Sequence, residues 1–200
     1  MSTAVSQIGP ADHGRAMSLD EFDHAEVREG HIYELGRGVI QVSDVPRKRH
    51  FALSPAAHRQ FHSYDIAKPG KIYAIGGGSE CKVLISQLQS ERHPDLSIYL
   101  SAPPEDDDPW STWIPAIVIE IVSPSSEERD YREKPDEYLA FGILEYWIID
   151  ADKGQMTVLR RTAGKWQERI IRPSDKYRTH LLPGFEFDLA SVFEATGADR

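Results

Sequence analysis

The chain has 200 residues, of which 40% are hydrophobic and 28% are charged, and its formal net charge is −9. This length fits one domain that buries roughly 70% of its unfolded surface, so neither a disulfide nor a structural metal is needed for folding. The acidic balance argues against a surface built for nonspecific nucleic-acid binding, although it leaves room for an acidic pocket that recruits divalent cations. The single cysteine, Cys81, excludes an intramolecular disulfide, and no apolar run approaches the roughly 20 residues of a membrane span. We therefore expect a cytoplasmic protein without a membrane partner.

The first part of the chain predicts a leader, two helices and a hairpin. Residues 1–17 are small and polar, which favours a flexible N-terminal leader ahead of a single domain over residues 18–200. Ser18 and the acids after it are typical of a helix start in SLDEFDHAE. Two apolar runs around Gly36 and Gly38 predict a hairpin in HIYELGRGVIQVSD. A longer helix is predicted over RKRHFALSPAAHRQFHSYDIA, where Pro55 would delay the start or kink the axis.

Strands dominate the rest of the chain. They are predicted over KIYAI, KVLIS, PDLSIYL, AIVIEIV, LEYWIID, MTVLRR and KWQERII. The segment SPSSEERD leads into a helix that should end near Gly142, and PGFEFDLASVFEA closes the chain with a short Asp-capped helix. The pattern indicates a mixed α/β (α+β) domain with a β-sheet at its centre.

One carboxylate, Glu120, stands in the middle of the apolar, β-branched run AIVIEIV. Strands this apolar usually lie inside a sheet, covered on both faces. A carboxylate in such a place is costly unless it is paired, hydrogen-bonded or bound to a metal. Glu120 is therefore the strongest candidate for a functional residue.

Two other residues give Glu120 a chemical context. Asp95 opens the strand HPDLSIYL, and Lys134 follows Glu120 on a helix that can pack against the sheet. Carboxylates that converge from adjacent strands form an oxygen-rich site for a hard cation such as Mg²⁺. A nearby lysine supplies a point charge for a phosphate or an attacking hydroxide.

The string PAIVIEIVSPSSEERDYREKPDEYLAFGILEYWIID resembles the signature of the Uma-two family of endonucleases, within the PD-(D/E)XK nuclease superfamily. That family shows a "PD" strand, a "vvEvlSPST" strand, a helix with "K…Y…G" and the motif "eYWlvD". The resemblance is strong over residues 94–150. It is looser in IYELGRG and RKRH, and the ending LLPGFEFDLASVF also fits the family.

The resemblance implies a restriction endonuclease-like core, with a central mixed β-sheet flanked by helices. It makes Asp95 and Glu120 the metal ligands, Lys134 the catalytic lysine and Glu34 an accessory carboxylate. The implied reaction is hydrolysis of phosphodiester bonds in DNA, or less favourably RNA, by a water molecule that Mg²⁺ or Mn²⁺ activates.

Two positions depart from the superfamily pattern. Val122 stands where the superfamily keeps its lysine, two residues after the acid, and the family places this lysine on the following helix instead. Tyr138 lies one helical turn beyond Lys134 on the same predicted face. Pro135 directly after Lys134 is less expected, because it could shift the start of the helix.

The sequence also permits other functions, and it raises the question of assembly. A catalytically silent nuclease-fold protein could bind nucleic acid or a protein partner, and a hydrolase could use two carboxylates without metal, as glycosidases do. The basic segment PRKRH, residues 46–50, could contact a nucleic-acid backbone or only keep the surface soluble. We also expect a twofold-symmetric homodimer, the commonest oligomer, in which two sites would address two strands.

Overall fold

A computed structural model describes residues 6–44, 48–106 and 108–197 of the chain. Within these residues the helices are α1 (Leu19–Asp23), α2 (Lys48–Ala67), α3 (Lys134–Phe141) and α4 (Leu189–Glu194). The strands are β1 (Gln7–Ile8), β2 (Glu26–Val27), β3 (His31–Gly36), β4 (Val39–Asp44), β5 (Ala74–Gly76), β6 (Val83–Ile85), β7 (Ser90–Arg92), β8 (Leu96–Tyr99), β9 (Ile117–Ile121), β10 (Glu145–Asp150), β11 (Gln155–Thr162), β12 (Lys165–Ile171), β13 (Lys176–Tyr177) and β14 (Phe187–Asp188).

A six-stranded mixed sheet forms the centre of the fold, with the strand order β12-β11-β10-β9-β8-β5. Strands β9 and β10 are parallel, whereas the other neighbours pair antiparallel. The predicted mixed α/β class with a central mixed sheet is therefore confirmed. A second sheet, β4-β3-β7-β6, is antiparallel and carries the predicted hairpin.

The two faces of β9 pack against different helices. Ile117, Ile119 and Ile121 share a core cluster with residues of α2 and α4. Val118 belongs to a second cluster, in which Tyr138 of α3 takes part. Because side chains alternate along a strand, Glu120 shares the face of Val118 and points toward α3.

Local sequence signals explain the helix ends. The Ser18 side chain accepts a hydrogen bond from the backbone N–H of Glu21, which completes a capping box at α1. Helix α3 ends at Gly142, whose φ of 108° is readily available to glycine. Pro55 lies inside α2, which is described from Lys48, so this proline does not delay the start of the helix.

The expectation of a loose leader is wrong for residues 6–17. Strand β1 pairs in parallel with β2, and Ile8 is completely buried in a third apolar cluster. Ala16 forms a bridge with Val39 of the hairpin. The hydrophobic effect of burying Ile8, together with these backbone pairings, holds the segment against the second sheet. Residues 1–5 lie outside the described part of the chain.

None of the helices in the described ranges has the length and apolar character that a membrane crossing requires.

Candidate active site

Glu120 is 4% exposed and lies in the middle of β9. Its Oε1 atom accepts a hydrogen bond from Lys134 Nζ at 2.9 Å and another from the Tyr138 hydroxyl at 2.7 Å. Both donors belong to α3, one helical turn apart, as the sequence predicts. A charged and a neutral donor thus satisfy the carboxylate that the apolar strand buries.

Lys134 is surrounded by three carboxylates. Its Nζ atom lies 2.9 Å from Glu120 Oε1, 3.1 Å from Asp130 Oδ1 and 3.7 Å from Glu34 Oε1. Helix α3 is preceded by a π-helical segment, Arg129–Glu133, and Pro135 falls in the first turn of α3, where its missing N–H is tolerated. The unexpected proline is therefore compatible with the position of the lysine.

Asp95 is the residue directly before β8, and β8 pairs with β9. Its Oδ2 atom accepts a hydrogen bond from the backbone N–H of Ile121 at 2.7 Å and lies 3.1 Å from His50 Nε2. His58 Nε2 lies 3.1 Å from the backbone oxygen of Asp95. Contacts from β9 and from α2 therefore fix both the backbone and the side chain of Asp95.

Glu34 reaches the same place from the second sheet. Its Oε1 atom accepts a hydrogen bond from the backbone N–H of His93 at 3.1 Å, and its Oε2 atom lies 3.6 Å from Arg92 Nη1. Burial would raise the pKa of Glu34, but the positive charges of Lys134 and Arg92 outweigh burial and lower this pKa to about 2. Glu34 is thus held as an anion beside the lysine.

Arg92 links the second sheet to α3. The guanidinium is fully buried and donates to Glu137 from Nε at 2.7 Å and from Nη2 at 3.0 Å. It also lies 3.3 Å from Glu133 Oε2 and donates to Gln41. The bidentate Arg92–Glu137 pair connects β7 to α3, the helix that carries Lys134. Since β7 pairs with β3, which carries Glu34, the pair also fixes the position of Lys134 relative to Glu34.

The four predicted site residues all line one cavity of about 400 Å³. Among the described residues, six carboxylate residues line its wall, together with two permanently cationic ones, Arg129 and Lys134. The acidic members are Glu34, Asp44, Asp95, Glu120, Asp130 and Asp152.

Crowding of carboxylates sets the electrostatics of the cavity. Burial raises the pKa of Glu120 to about 8; Lys134 acts against this rise, whereas Asp95, Asp130 and Glu34 add to it. Burial also raises the pKa of Asp130. For Lys134, the charges of Asp130, Glu120 and Glu34 overcome the effect of burial and raise the pKa, so the ammonium stays protonated. A divalent cation would offset the mutual repulsion of the acids.

The carboxylates of Asp95 and Glu120 each keep one oxygen for a ligand. Within the described residues, the hydrogen bonds to Asp95 go to Oδ2 and those to Glu120 go to Oε1. Asp95 Oδ1 and Glu120 Oε2 accept no hydrogen bond from the described residues, and both residues line the cavity. No group of three or more His, Cys, Asp or Glu side chains with metal-binding geometry occurs in the described ranges. Mg²⁺ commonly binds through one or two carboxylates and retains several waters, so this donor pair fits Mg²⁺.

The sequence did not predict the roles of Asp130 and Arg92, or the contact between His50 and Asp95. The spacing of Asp130 and Lys134, i and i+4 on a helix, was an available signal for their ion pair. Arg92 lies in the short strand β7, which has no apolar alternation to mark it. His50 belongs to the basic segment 46–50, of which residues 46 and 47 lie outside the described ranges.

Comparisons with known proteins give the family and the fold of the chain. Residues 19–190 match the sequence model of the Uma2 family, which is described as "Putative restriction endonuclease". A crystal structure from Anabaena variabilis ATCC 29413, titled a "putative nuclease belonging to DUF820", shares 20% sequence identity with the chain. The superposition has a TM-score of 0.73 and covers 90% of this chain and 99% of that one, which shows a common fold. No curated protein shows significant similarity to the chain.

Proposed function

The chain belongs to the Uma2 family, and from this premise we propose that it is a metal-dependent endonuclease acting on phosphodiester bonds of DNA. RNA is the less favoured substrate. The observation that carries the proposal is the meeting of Asp95, Glu120 and Lys134 in one cavity, although they come from different elements. Fold similarity alone does not imply an activity, so the activity is inferred from the residues of this site.

Asp95 and Glu120, which both line the cavity, would hold Mg²⁺ or Mn²⁺ through the oxygens that accept no hydrogen bond from the described residues. When bound, such a cation would offset the negative charge of the substrate phosphate and lower the pKa of the attacking water. The backbone N–H of Ile121 and the ring of His50 hold Asp95 in place for this role. The Tyr138 hydroxyl does the same for Glu120.

Lys134 would stabilise the negative charge that develops on the phosphate during attack. Its ammonium remains protonated because three carboxylates surround it, and a compact ammonium can act as a point charge. Glu34 and Asp130 would serve as positioning residues, since their carboxylates lie 3.7 Å and 3.1 Å from Lys134 Nζ. The accessory role that we propose for Glu34 is therefore to orient the Lys134 ammonium.

A second candidate is a catalytically silent protein of this fold that binds nucleic acid or a protein partner. The observation in its favour is the net charge of −9, which opposes the binding of a polyanionic substrate. Cleavage activity separates the two candidates.

The test is a cleavage screen over single- and double-stranded DNA and RNA with Mg²⁺ or Mn²⁺. Wild type should cleave DNA, whereas Glu120→Gln should lose cleavage because it removes a ligand charge. Glu128→Gln is the matched control, since Glu128 is exposed on the segment that leads into the site helix. The proposal is wrong if Glu120→Gln cleaves at the wild-type rate. It is also wrong if wild type cleaves none of the four substrates, single- and double-stranded DNA and RNA.

A further inference from the structure

Arg129 lies in the wall of the cavity, at the first residue of the π-helical segment before α3. Its Nη2 atom donates a hydrogen bond to Ser43 Oγ at 2.6 Å, which ties the guanidinium to the end of β4. The Nε atom of Arg129 is buried and has no hydrogen-bond partner among the described residues. A buried N–H of this kind costs free energy unless a ligand or water satisfies it.

The two permanent cations that line the cavity in the described ranges differ in their surroundings. Lys134 already forms ion pairs with three carboxylates, those of Glu34, Glu120 and Asp130. In the part of the chain that the structure describes, Arg129 forms no ion pair, and its hydrogen bond to Ser43 is to a neutral hydroxyl. Arg129 therefore has charge left for an anion, and its Nη1 group also has no hydrogen bond within the described residues.

We propose that Arg129 binds a backbone phosphate of the nucleic acid that enters this cavity, next to the phosphate that is cleaved. This inference rests on the proposed function, because it specifies how the same site holds its substrate. A guanidinium presents a planar array of N–H donors that matches the oxygens of a phosphate, and one anchored on Ser43 loses little further freedom on binding. The six carboxylate residues of the wall would otherwise repel a polyanion.

The test measures the affinity of DNA for the protein in Ca²⁺, with a single neutral methylphosphonate moved along the strand. For wild type, one substituted position should weaken binding by about 10- to 100-fold, the loss expected for a hydrogen bond between charged groups. Arg129→Gln should bind unmodified DNA more weakly by the same factor, and it should be insensitive to the methylphosphonate at that position. A merely structural role for Arg129 would not remove the sensitivity to one phosphate.

Two further variants make the result specific. Arg132→Gln is the matched control, because Arg132 is exposed in the same π-helical segment and does not line the cavity. It should keep the wild-type response to the methylphosphonate. Arg129→Lys retains the charge without the planar fork, so it should bind with intermediate affinity. The slope of log K against log salt should fall by about 0.9 in Arg129→Gln and stay unchanged in Arg129→Lys.

The outcomes separate this inference from the proposed function. If wild type shows the Arg129-dependent phosphate coupling but cleaves no DNA, the inference stands and the catalytic proposal fails. If wild type cleaves DNA but Arg129→Gln keeps the full methylphosphonate response, the inference is wrong and the catalytic proposal stands. A wild type that does not bind DNA in Ca²⁺ overturns the inference.

Discussion

Divalent cations should stabilise the folded protein through Asp95 and Glu120. A ligand that binds only the native state adds RT ln(1 + [L]/Kd) to the free energy of unfolding, which is about 2.7 kcal/mol when the cation is at a hundredfold excess over Kd. For a chain of 200 residues, each kcal/mol raises Tm by about 2–4 °C. Saturating Mg²⁺ should therefore raise Tm by about 5–11 °C.

The pKa of Glu120 adds a pH dependence to this effect. Since burial raises that pKa to about 8, a proton competes with the cation for the Glu120 carboxylate near neutral pH. The affinity for Mg²⁺ should therefore rise by about tenfold between pH 7 and pH 9 and level off above the pKa. A pH-independent affinity would show that Glu120 does not exchange a proton for the metal.

The assay is thermal melting of wild type, Asp95→Asn, Glu120→Gln and the control Glu128→Gln across a Mg²⁺ titration. Wild type and Glu128→Gln should show the full rise in Tm, whereas loss of either ligand should abolish most of it. Equal rises in wild type and Glu120→Gln would refute the assignment of Glu120 as a ligand.

Three other measurements test separate parts of the account. Lys134→Ala should lower the cleavage rate by about 10²- to 10³-fold while Mg²⁺ binding is retained. Adding Val122→Lys to this variant should restore part of the rate. Unchanged single-turnover kinetics in Lys134→Ala would show that the lysine is not required. Glu34 has a folded pKa of about 2, below its unfolded value of 4.5, so its contribution is present above pH 4.5 and is lost as the pH falls toward 2. Glu34→Gln should thus cost up to about 3 kcal/mol at pH 7 and flatten the acid limb of a urea-unfolding pH profile, and an unaltered profile would contradict the ion-pair argument. Sedimentation in the micromolar range should show a homodimer, and a monomer throughout would count against paired sites.

Much of the site follows from the sequence because the burial of Glu120 could be read from its neighbours. A run of β-branched residues on both sides predicts a covered strand, and a carboxylate there demands a cationic or metal partner. The alternation of side chains then directs Glu120 to the face of α3, where Lys134 and Tyr138 lie. Local patterns predicted the burial of Glu120, and the family resemblance added the role of Lys134 on the helix that follows in the chain.

The remaining contacts depend on long-range packing, which local patterns do not encode. Glu34 and Arg92 come from a separate sheet, and only the tertiary arrangement brings them to Lys134 and Glu137. Ile8 is one apolar residue in a polar segment, so no periodicity predicts its burial.

The central claim is that a divalent cation in this cavity enables DNA cleavage, and the most direct test is chelation followed by metal replacement on a plasmid substrate. Purified wild type should nick or linearise the plasmid in Mg²⁺, stop when EDTA is added, and resume when excess Mg²⁺ restores the free cation. Cleavage that continues in EDTA, or that Glu120→Gln performs equally well, would contradict the account.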